Sequence, residues 1–321
     1  MKLDKIYKKG KLSIGLEIPL DNDWSISGEI KRKFDGRPFG VPDITEHATY
    51  AKLADTTGFK ALWVRDVPVY DPAFGDAAQQ FEIFTYLGYL AGITEHIMLG
   101  TAAVVLPLRE PILVAKSSAS VDVLSDGRLL LGLGLGDRPV EFPLFGYEFE
   151  NRSERFRNGV AVLRHSWKKD GLLNDIFKGV PPEIQVFPKP AQENIPLVMA
   201  GFGQQSLEWI AKNMDAWFNY PRPVETSKTL VDQWKKATDR LEIDPKPFIT
   251  GFQVDLLEDV NAEMTPHKFG GKIGRNRLID LLHQYREAGV AHMALHLRQT
   301  QRPIAEAMNE IAEYILPEFH D

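Results

Sequence analysis

The sequence predicts an α/β fold in which eight parallel strands and eight helices close into a single (β/α)8 barrel. Apolar segments of strand length alternate with helical segments along the whole chain, and this alternation implies parallel strands because crossover helices separate them. About eight such pairs can be counted, which favours a closed barrel over an open sheet. The length of 321 residues suits one barrel, which needs about 250 residues, so we expect a single domain over 1–321.

Each predicted strand is followed along the chain by a predicted helix. The strands are predicted at 12–18, 59–64, 97–106, 129–135, 196–200, 216–220, 248–257 and 291–297. The helices are predicted at 43–57, 77–92, 111–124, 153–169, 205–213, 224–241, 275–288 and 303–315. Asp43 and Glu46 have capping-box spacing at the start of the first helix, and Gly58 suits its end. Prolines and glycines between 19 and 42 predict a long loop.

Two further segments interrupt the alternation. Residues 171–195 form an insertion between the fourth helix and the fifth strand, and its prolines and glycines predict a loop with room for a hairpin. Residues 258–274 are predicted to be a mobile loop. Neither segment resembles a linker between domains, which agrees with the prediction of one domain.

The composition excludes several classes of protein. The net charge of −6 and the lack of a basic tract argue against binding to nucleic acid or to anionic membranes. The absence of cysteine excludes disulfides, thiolate metal ligands and a cysteine nucleophile, and it suits a reducing compartment. No signal-peptide pattern and no apolar run of about 18 residues is visible, so we expect a cytoplasmic protein.

A barrel of this kind builds its active site from the loops at the carboxyl ends of its strands. Gly132, Gly134 and Gly136 alternate with leucines on the fourth strand and therefore share one face. Their missing side chains can leave an empty wall that a flat ring would occupy. The alternative is that small residues simply fit a crowded barrel interior.

A candidate anion site follows the fifth strand. Gly201, Gly203 and Ser206 lie in a glycine-rich turn that leads into a helix, and the free amides of a helix start favour a phosphate. Arg152 and Arg155 stand at another predicted helix start, where they can add a phosphate clamp. An ordinary turn and a solvated helix end are the alternatives for these two segments.

The histidines do not predict a metal site. The sequence has eight of them, scattered along the chain, without a His-Glu-x-x-His pair or a cluster at ligand spacing. His296 lies near the carboxyl end of the last predicted strand, where we expect a polar side chain that lines the barrel on the substrate side.

Four segments resemble the bacterial luciferase-like monooxygenase family. They are Ala-Leu-Trp-Val-Arg-Asp at 61–66, Leu-Gly-Thr-Ala-Ala-Val-Val-Leu-Pro at 99–107, Leu-Ser-Asp-Gly-Arg-Leu-Leu-Leu-Gly at 124–132 and Ala-Trp at 216–217. The second and third segments are specific in combination. The resemblance covers roughly residues 10–318 and thins after about residue 222. It implies a (β/α)8 barrel with an insertion, in agreement with the pattern of elements.

The resemblance also implies a cofactor and its site. In the family, the residues that match Ala102 and Ala103 support a flavin ring through a cis peptide bond, and we expect Gly134 and Gly136 to form the opposing wall. The flavin phosphate is expected at the turn 201–206. Family members are homodimers, and the aromatic helix predicted at 77–92 is our candidate for the interface.

Two positions depart from the luciferases. Val67 stands where they have a catalytic histidine, and Leu135 stands where they have an arginine on the phosphate. Arg138, Arg152 or Arg155 can substitute for the latter.

Because of these departures, the sequence does not identify the general base. Asp66 and Arg65 are the candidate catalytic residues at the mouth. We expect a flavin-dependent oxidoreductase and, as the first hypothesis, a monooxygenase that uses O2 and reduced FMN from a separate flavin reductase on an organic substrate. A deazaflavin-dependent hydride-transfer enzyme, a non-enzymatic flavin-binding protein and a metal-dependent hydrolase remain as alternatives.

Overall fold

Eight parallel strands close into a barrel in the computed structural model, which describes residues 2–74 and 80–320. The strands are β1 (Ser13–Glu17), β2 (Ala61–Val64), β3 (Met98–Thr101), β4 (Val104–Val105), β5 (Leu129–Gly134), β6 (Leu197–Ala200), β7 (Ala216–Asn219), β8 (Phe248–Leu257), β9 (Thr265–His267), β10 (Gly270–Gly274) and β11 (His292–His296). All except β4, β9 and β10 belong to the barrel, and β11 closes it by pairing with both β1 and β8. The predicted (β/α)8 barrel is confirmed.

Helices surround the barrel. They are α1 (Ile26–Phe34), α2 (His47–Thr56), α3 (Ile83–Ile93), α4 (Pro111–Leu124), α5 (Glu141–Leu144), α6 (Arg152–Ser166), α7 (Leu207–Asn213), α8 (Val224–Arg240), α9 (Arg275–Glu287), α10 (Ile304–Glu310) and α11 (Leu316–Phe319). Apolar side chains on the outer face of the strands pack against these helices and form the larger core. Across the two described ranges, no helix combines the length and the apolar character that crossing a membrane requires.

A tryptophan fills the middle of the barrel. Trp63 is fully buried, and a side-chain carbon added at Gly100 would collide with its ring. The indole Nε1 of Trp63 donates to Nε2 of His292 at 2.9 Å. Burial lowers the pKa of His292 to about 3, so its ring stays neutral and accepts this bond. Trp63 therefore forms a closed floor beneath the carboxyl end of the barrel.

The segment after β1 contains a helix that the sequence analysis missed. Ser25 caps α1 by accepting a hydrogen bond from the amide of Gly28 at 2.9 Å. The predicted capping box is wrong, because α2 begins only at His47. Asp43 instead accepts a hydrogen bond from the amide of Thr45 and pairs with Lys31 of α1, so a contact with the missed helix replaces the cap.

Other differences concern irregular segments. The predicted loop 258–274 contains β9 and β10, and β10 pairs with the outer part of β8, which extends the sheet beyond the barrel. The insertion 171–195 contains one antiparallel bridge, between Leu172 and Gln185. The strand predicted at 97–106 is divided into β3 and β4. The helix predicted at 77–92 is observed as α3, and positions 77–79 lie outside the described residues.

Candidate active site at the carboxyl end of the barrel

The polar half of the barrel mouth is formed by neighbouring strands. The register of β1 with β11 pairs Leu16 with Leu295 and so places the next residue of each strand, Glu17 and His296, side by side. His296 in turn pairs with Gln253 of β8. Arg65 follows β2, and its Nη2 lies 3.7 Å from Oε2 of Glu17. We call Glu17, Arg65, Gln253 and His296 the polar side of the mouth.

The opposite half of the mouth has small residues. Ala102 packs against the cluster inside the barrel, and Gly134 and Ala200 lie on the inward faces of β5 and β6, as the strand alternation requires. A side-chain carbon added at Gly134 would lie 3.4 Å from Cβ of Ala103. We call Ala102, Ala103, Gly134 and Ala200 the small side of the mouth.

The peptide bond between Ala102 and Ala103 is cis, which agrees with the expectation from the family resemblance. It separates β3 from β4 and ends the predicted continuous strand. The backbone of this segment therefore lies at the mouth next to Gly134.

Gly132 and Gly134 of β5 and Gly136, which follows it, have different roles. A side-chain carbon at Gly132 would collide with the carbonyl oxygen of Thr101, so this glycine permits close packing of strands. Gly136 has a φ of +85°, and the space beside it is taken by Val105 and Phe142. Thus Gly134 alone of the three faces the mouth, and the prediction that Gly136 leaves room for a ring is corrected.

Asp66 holds the chain that follows the cis peptide. Its carboxylate binds Arg109 through Nη2 at 2.7 Å and Nε at 2.9 Å, and it also accepts the amide of Val105 at 3.0 Å. The side chain of Asp66 is 2% exposed. These bonds occupy both carboxylate oxygens, so the geometry indicates a positioning role for Asp66 where we expected a catalytic one.

Glu17 is a site residue that the sequence analysis missed. Its side chain reaches past β11 to β8, because a carbon added at Gly251 of β8 would lie 2.8 Å from Oε1 of Glu17. Burial raises the pKa of Glu17, and the charge of Arg65 opposes this only in part. The signal in the sequence was a single charged residue at the end of an apolar strand.

His296 lies at the mouth as predicted, with 2% of the residue exposed. Its ring centroid is 5.1 Å from that of Trp24, and its buried Nδ1 has no hydrogen-bond partner among the described residues. Burial lowers the pKa of His296 well below the usual value, and the charges of Arg65 and Arg298 lower it further. The imidazole is therefore neutral near pH 7.

A buried network of ion pairs fixes the position of the segment after β1 at the mouth of the barrel. Arg298, fully buried after β11, binds both oxygens of Asp21, with Nε at 2.6 Å from Oδ1. Arg37 binds both oxygens of Asp23. The amide of Trp24 donates to the carbonyl of Arg298 at 3.0 Å. This network, which the sequence analysis missed, positions Trp24 next to His296.

The two predicted phosphate segments lie next to each other. Gly201 and Gly203 have φ values of +64° and +50°, as a tight turn requires. Ser206 caps α7 by accepting the amide of Trp209 at 3.1 Å. Gln205, which the sequence analysis did not single out, donates to Oγ of Ser153 at 2.9 Å and so joins the turn to the start of α6.

The three predicted arginines have different contacts. At the start of α6, Arg152 donates to the carbonyl of Phe149 at 2.6 Å, and Nε of Arg155 donates to the carbonyl of Pro107 at 3.0 Å. Arg138 follows β5, and its guanidinium lies 4.0 Å from the centre of the Phe74 ring in the loop after β2. Only the two arginines of α6 are therefore joined, through the helix start, to the glycine-rich turn.

A family model of the luciferase-like monooxygenases matches residues 24–315, so the chain belongs to the luciferase-like monooxygenase family. A protein of Mycobacterium tuberculosis without an assigned activity is 31% identical over 209 residues, 59% of this chain and 74% of that protein. The oxygenase component of a flavin-dependent trigonelline monooxygenase from Acinetobacter baylyi is 29% identical over 50% of this chain and 44% of that protein. An F420-dependent glucose-6-phosphate dehydrogenase of Amycolatopsis mediterranei is 28% identical over 53% of this chain and 51% of that protein.

Solved structures share the whole fold. A monooxygenase of Streptomyces bottropensis superposes with a TM-score of 0.74 at 19% identity and covers 96% of this chain and 99% of its own. An F420-dependent secondary alcohol dehydrogenase superposes with a TM-score of 0.75 at 17% identity, covering 97% and 100%. The chain is therefore an oxidoreductase-family barrel whose relatives use either flavin or the deazaflavin F420.

Proposed function

We propose that the protein is a flavin-dependent monooxygenase that uses reduced FMN and O2 to oxidise a small organic substrate. The observation that carries the proposal is the division of the barrel mouth into a small side and a polar side above the Trp63 floor. A flat ring needs backbone and small side chains against one face, and a substrate needs polar groups opposite. The flavin-dependent relative from Acinetobacter baylyi supports the choice of a flavin.

The residues of the small side fit a flat cofactor. A carbon added at Gly134 would narrow the gap to Ala103, so the glycine keeps this surface open. We assign the ring to Ala102, Ala103 and Gly134, and the phosphate to the turn 201–206. When bound, the reduced flavin supplies the electrons and the reaction with O2. The protein positions the substrate, and Trp63 closes the barrel from below.

The phosphate end of the site is assigned to Gly201, Gly203 and Ser206, with Arg152 and Arg155 as the flanking cations. The bond from Gln205 to Ser153 supports this assignment because it brings the two segments together. We leave Arg138 out of this end because its guanidinium lies on the Phe74 ring, and we leave Gly136 out of the ring wall because the space beside it is taken by Phe142.

A second candidate is hydride transfer with a deazaflavin. The F420-dependent relative matches this chain at 28% identity, close to the 29% of the flavin-dependent relative. The same flat surface suits the ring of FMN and the ring of F420, so the shape of the site does not distinguish the two cofactors.

We propose two protein partners, a flavin reductase and a second copy of this chain. A separate flavin reductase would supply the reduced FMN, as the name "oxygenase component" of the relative suggests. The chain would form a homodimer through α3. Tyr86 and Leu90 of this helix are buried within the protomer, so the exposed part of the proposed interface is reduced to Phe81 and Tyr89.

The proposal is tested by titrating the full chain with FMN and F420, each oxidised and reduced, followed by oxygen uptake on a substrate panel. Tighter binding of reduced FMN together with substrate-dependent oxygen uptake is expected. Preference for F420 with its reduction by a substrate would establish the second candidate. Binding of FMN with neither oxygen uptake nor hydride transfer across the panel would contradict both and leave a flavin-binding protein.

A further inference from the structure

We infer that the mouth of the barrel binds an uncharged carbonyl group of the substrate through three hydrogen-bond donors, Trp24, Gln253 and His296. This substrate class rests on the proposed function, because it concerns the same mouth. Binding of a carbonyl group can be measured without the reaction, so the two proposals can be tested separately.

Two ring nitrogens next to each other lack hydrogen-bond partners. Nε1 of Trp24 and Nδ1 of His296 are buried, and neither has a partner among residues 2–74 and 80–320. The two rings are in contact, with their centroids 5.1 Å apart. Because buried polar atoms are almost always hydrogen-bonded, two such atoms in adjoining rings indicate the place of a ligand.

Gln253 brings a third donor to the same place. It pairs with His296 in the register of β8 and β11, and it shares the inward face of β8 with Ile249 and Gly251. Its Oε1 accepts a hydrogen bond from Nε2 of Gln299 at 3.0 Å. This bond orients the amide, so that Nε2 of Gln253 can donate to a different group.

The three donors differ in their exposure. Trp24 and Gln253 are partly exposed, whereas His296 is 2% exposed. A ligand that enters from solvent therefore meets the indole and the amide first and reaches the imidazole last.

The chemistry of the three groups selects an acceptor. The indole nitrogen and the amide nitrogen can only donate, and a neutral imidazole with its proton on Nδ1 donates there as well. Burial lowers the pKa of His296 well below its usual value, so the ring is neutral near pH 7. A carbonyl oxygen accepts hydrogen bonds and has no proton of its own to place, so it matches this set of donors.

The cations near the donors already have partners. Arg298, whose Cζ lies 4.6 Å from the centre of the Trp24 ring, binds both oxygens of Asp21. Arg65 is held by contacts within the protein, which include Glu17. Burial of a carboxylate costs much more free energy than burial of a carbonyl group unless a cation pairs with it. An uncharged carbonyl group is therefore favoured over a carboxylate.

The experiment compares two ketones, acetophenone and cyclohexanone, with molecules of similar shape. Ethylbenzene and methylcyclohexane lack the oxygen, and benzoate and cyclohexanecarboxylate carry a charge. Affinities for the full chain are measured by isothermal titration calorimetry with and without FMN. We expect at least one ketone to bind at least about 10-fold more tightly than its hydrocarbon and its carboxylate.

Variants identify the donors. Trp24→Phe and His296→Phe each keep a ring in place and remove the nitrogens, and Gln253→Met keeps the length of the side chain and removes the amide. Each should weaken the ketone about 3- to 10-fold and leave the hydrocarbon unchanged. The infrared carbonyl stretch of the bound ketone, labelled with carbon-13, should move to higher frequency in each variant because a hydrogen bond to its oxygen is lost.

Matched controls change the same residue types away from the mouth. They are Trp209→Phe on α7, Gln233→Met on α8 and His96→Phe. Trp209 packs against Phe156 in the outer core, Gln233 is exposed, and the side chain of His96 is 79% exposed. All three controls should bind the ketone as the wild type does.

Equal affinities for the ketone, the hydrocarbon and the carboxylate would overturn the inference, because the unpartnered nitrogens would then bind only water. Tightest binding of the carboxylate would also overturn it, as would normal ketone binding and an unchanged carbonyl stretch in the three mouth variants. FMN binding without a preference for ketones would remove this inference and leave the proposed function in place. A ketone preference that depends on the three donors, in a chain that binds neither FMN nor F420, would support the carbonyl site and contradict the proposed function.

Discussion

Asp66 and Arg109 form a two-bond ion pair that fastens the chain directly after the cis peptide. The distances are 2.7 Å from Nη2 to Oδ1 and 2.9 Å from Nε to Oδ2. The same carboxylate accepts the amide of Val105, so one side chain joins the loop after β2 to β4. The shape of the small side of the mouth therefore depends on Asp66.

The first prediction concerns this ion pair. Asp66→Asn should destabilise the protein by about 2–3 kcal/mol, because it leaves the partly buried Arg109 with only the half-exposed Glu82 as a charge partner. Urea unfolding measures the change. Asp280→Asn is the control, since its pair with Arg277 is exposed and should contribute about 0–1 kcal/mol. Similar small losses in both variants would contradict the positioning role.

The second prediction concerns the small side of the mouth. Ala103→Phe should lower the affinity for FMN about 100-fold or more, because the new ring would fill the space beside Gly134. Ala103 is partly exposed, so the barrel should stay folded, as circular dichroism would show. Ala191→Phe, at an exposed position of the insertion, is the matched control. Full FMN affinity in Ala103→Phe would place the ring elsewhere.

The third prediction concerns the phosphate. Ser206→Ala should weaken FMN binding but hardly affect riboflavin, which lacks the phosphate, as measured by fluorescence titration. The loss of the cap on α7 should also cost about 1 kcal/mol of stability. Ser25→Ala removes the cap of α1 and is the control for this effect. An equal weakening of FMN and riboflavin would argue against the phosphate assignment.

The fourth prediction concerns pH. Burial raises the pKa of Glu141 to about 7, against the opposing charge of Arg138. A carboxyl with a raised pKa in the folded state stabilises the fold below its unfolded pKa, and this contribution is lost as the pH rises through the folded value. Relative to Glu141→Gln, the wild type should lose on the order of 3 kcal/mol between about pH 4.5 and pH 8. Parallel stability curves from urea unfolding would refute it.

The fifth prediction concerns assembly. The wild type should sediment as a dimer at micromolar concentration, because Phe81, just before α3, and Tyr89 of α3 expose 41% and 46% of their surface beside the same His47 ring. Tyr89→Glu should shift it toward the monomer. Tyr314→Glu, exposed to 44% on the carboxyl-terminal helical segment, is the control. A wild type that remains monomeric would remove α3 as an interface.

The barrel could be predicted from the sequence because its signals are local. Apolar strands such as Leu129–Gly134 alternate with helices such as Pro111–Leu124, and each pattern is contained within a short window. The cis bond before Ala103 was expected only through the family resemblance, since no local pattern of small residues specifies it. Helix α1 was missed although Ile26, Ile30 and Phe34 recur at helical spacing, because the prolines and glycines of the surrounding segment 19–42 predicted a loop.

The tertiary structure determines which residues come together on the polar side of the mouth. Glu17 and His296 are far apart in the chain and become neighbours only through the parallel register of β1 and β11. Similarly, Asp21 meets Arg298 only when the barrel closes. By itself, the sequence determined which segments become strands and helices, since hydrophobic periodicity is a local property. The site depended on strand register and barrel closure, which bring together charges that have no local relation.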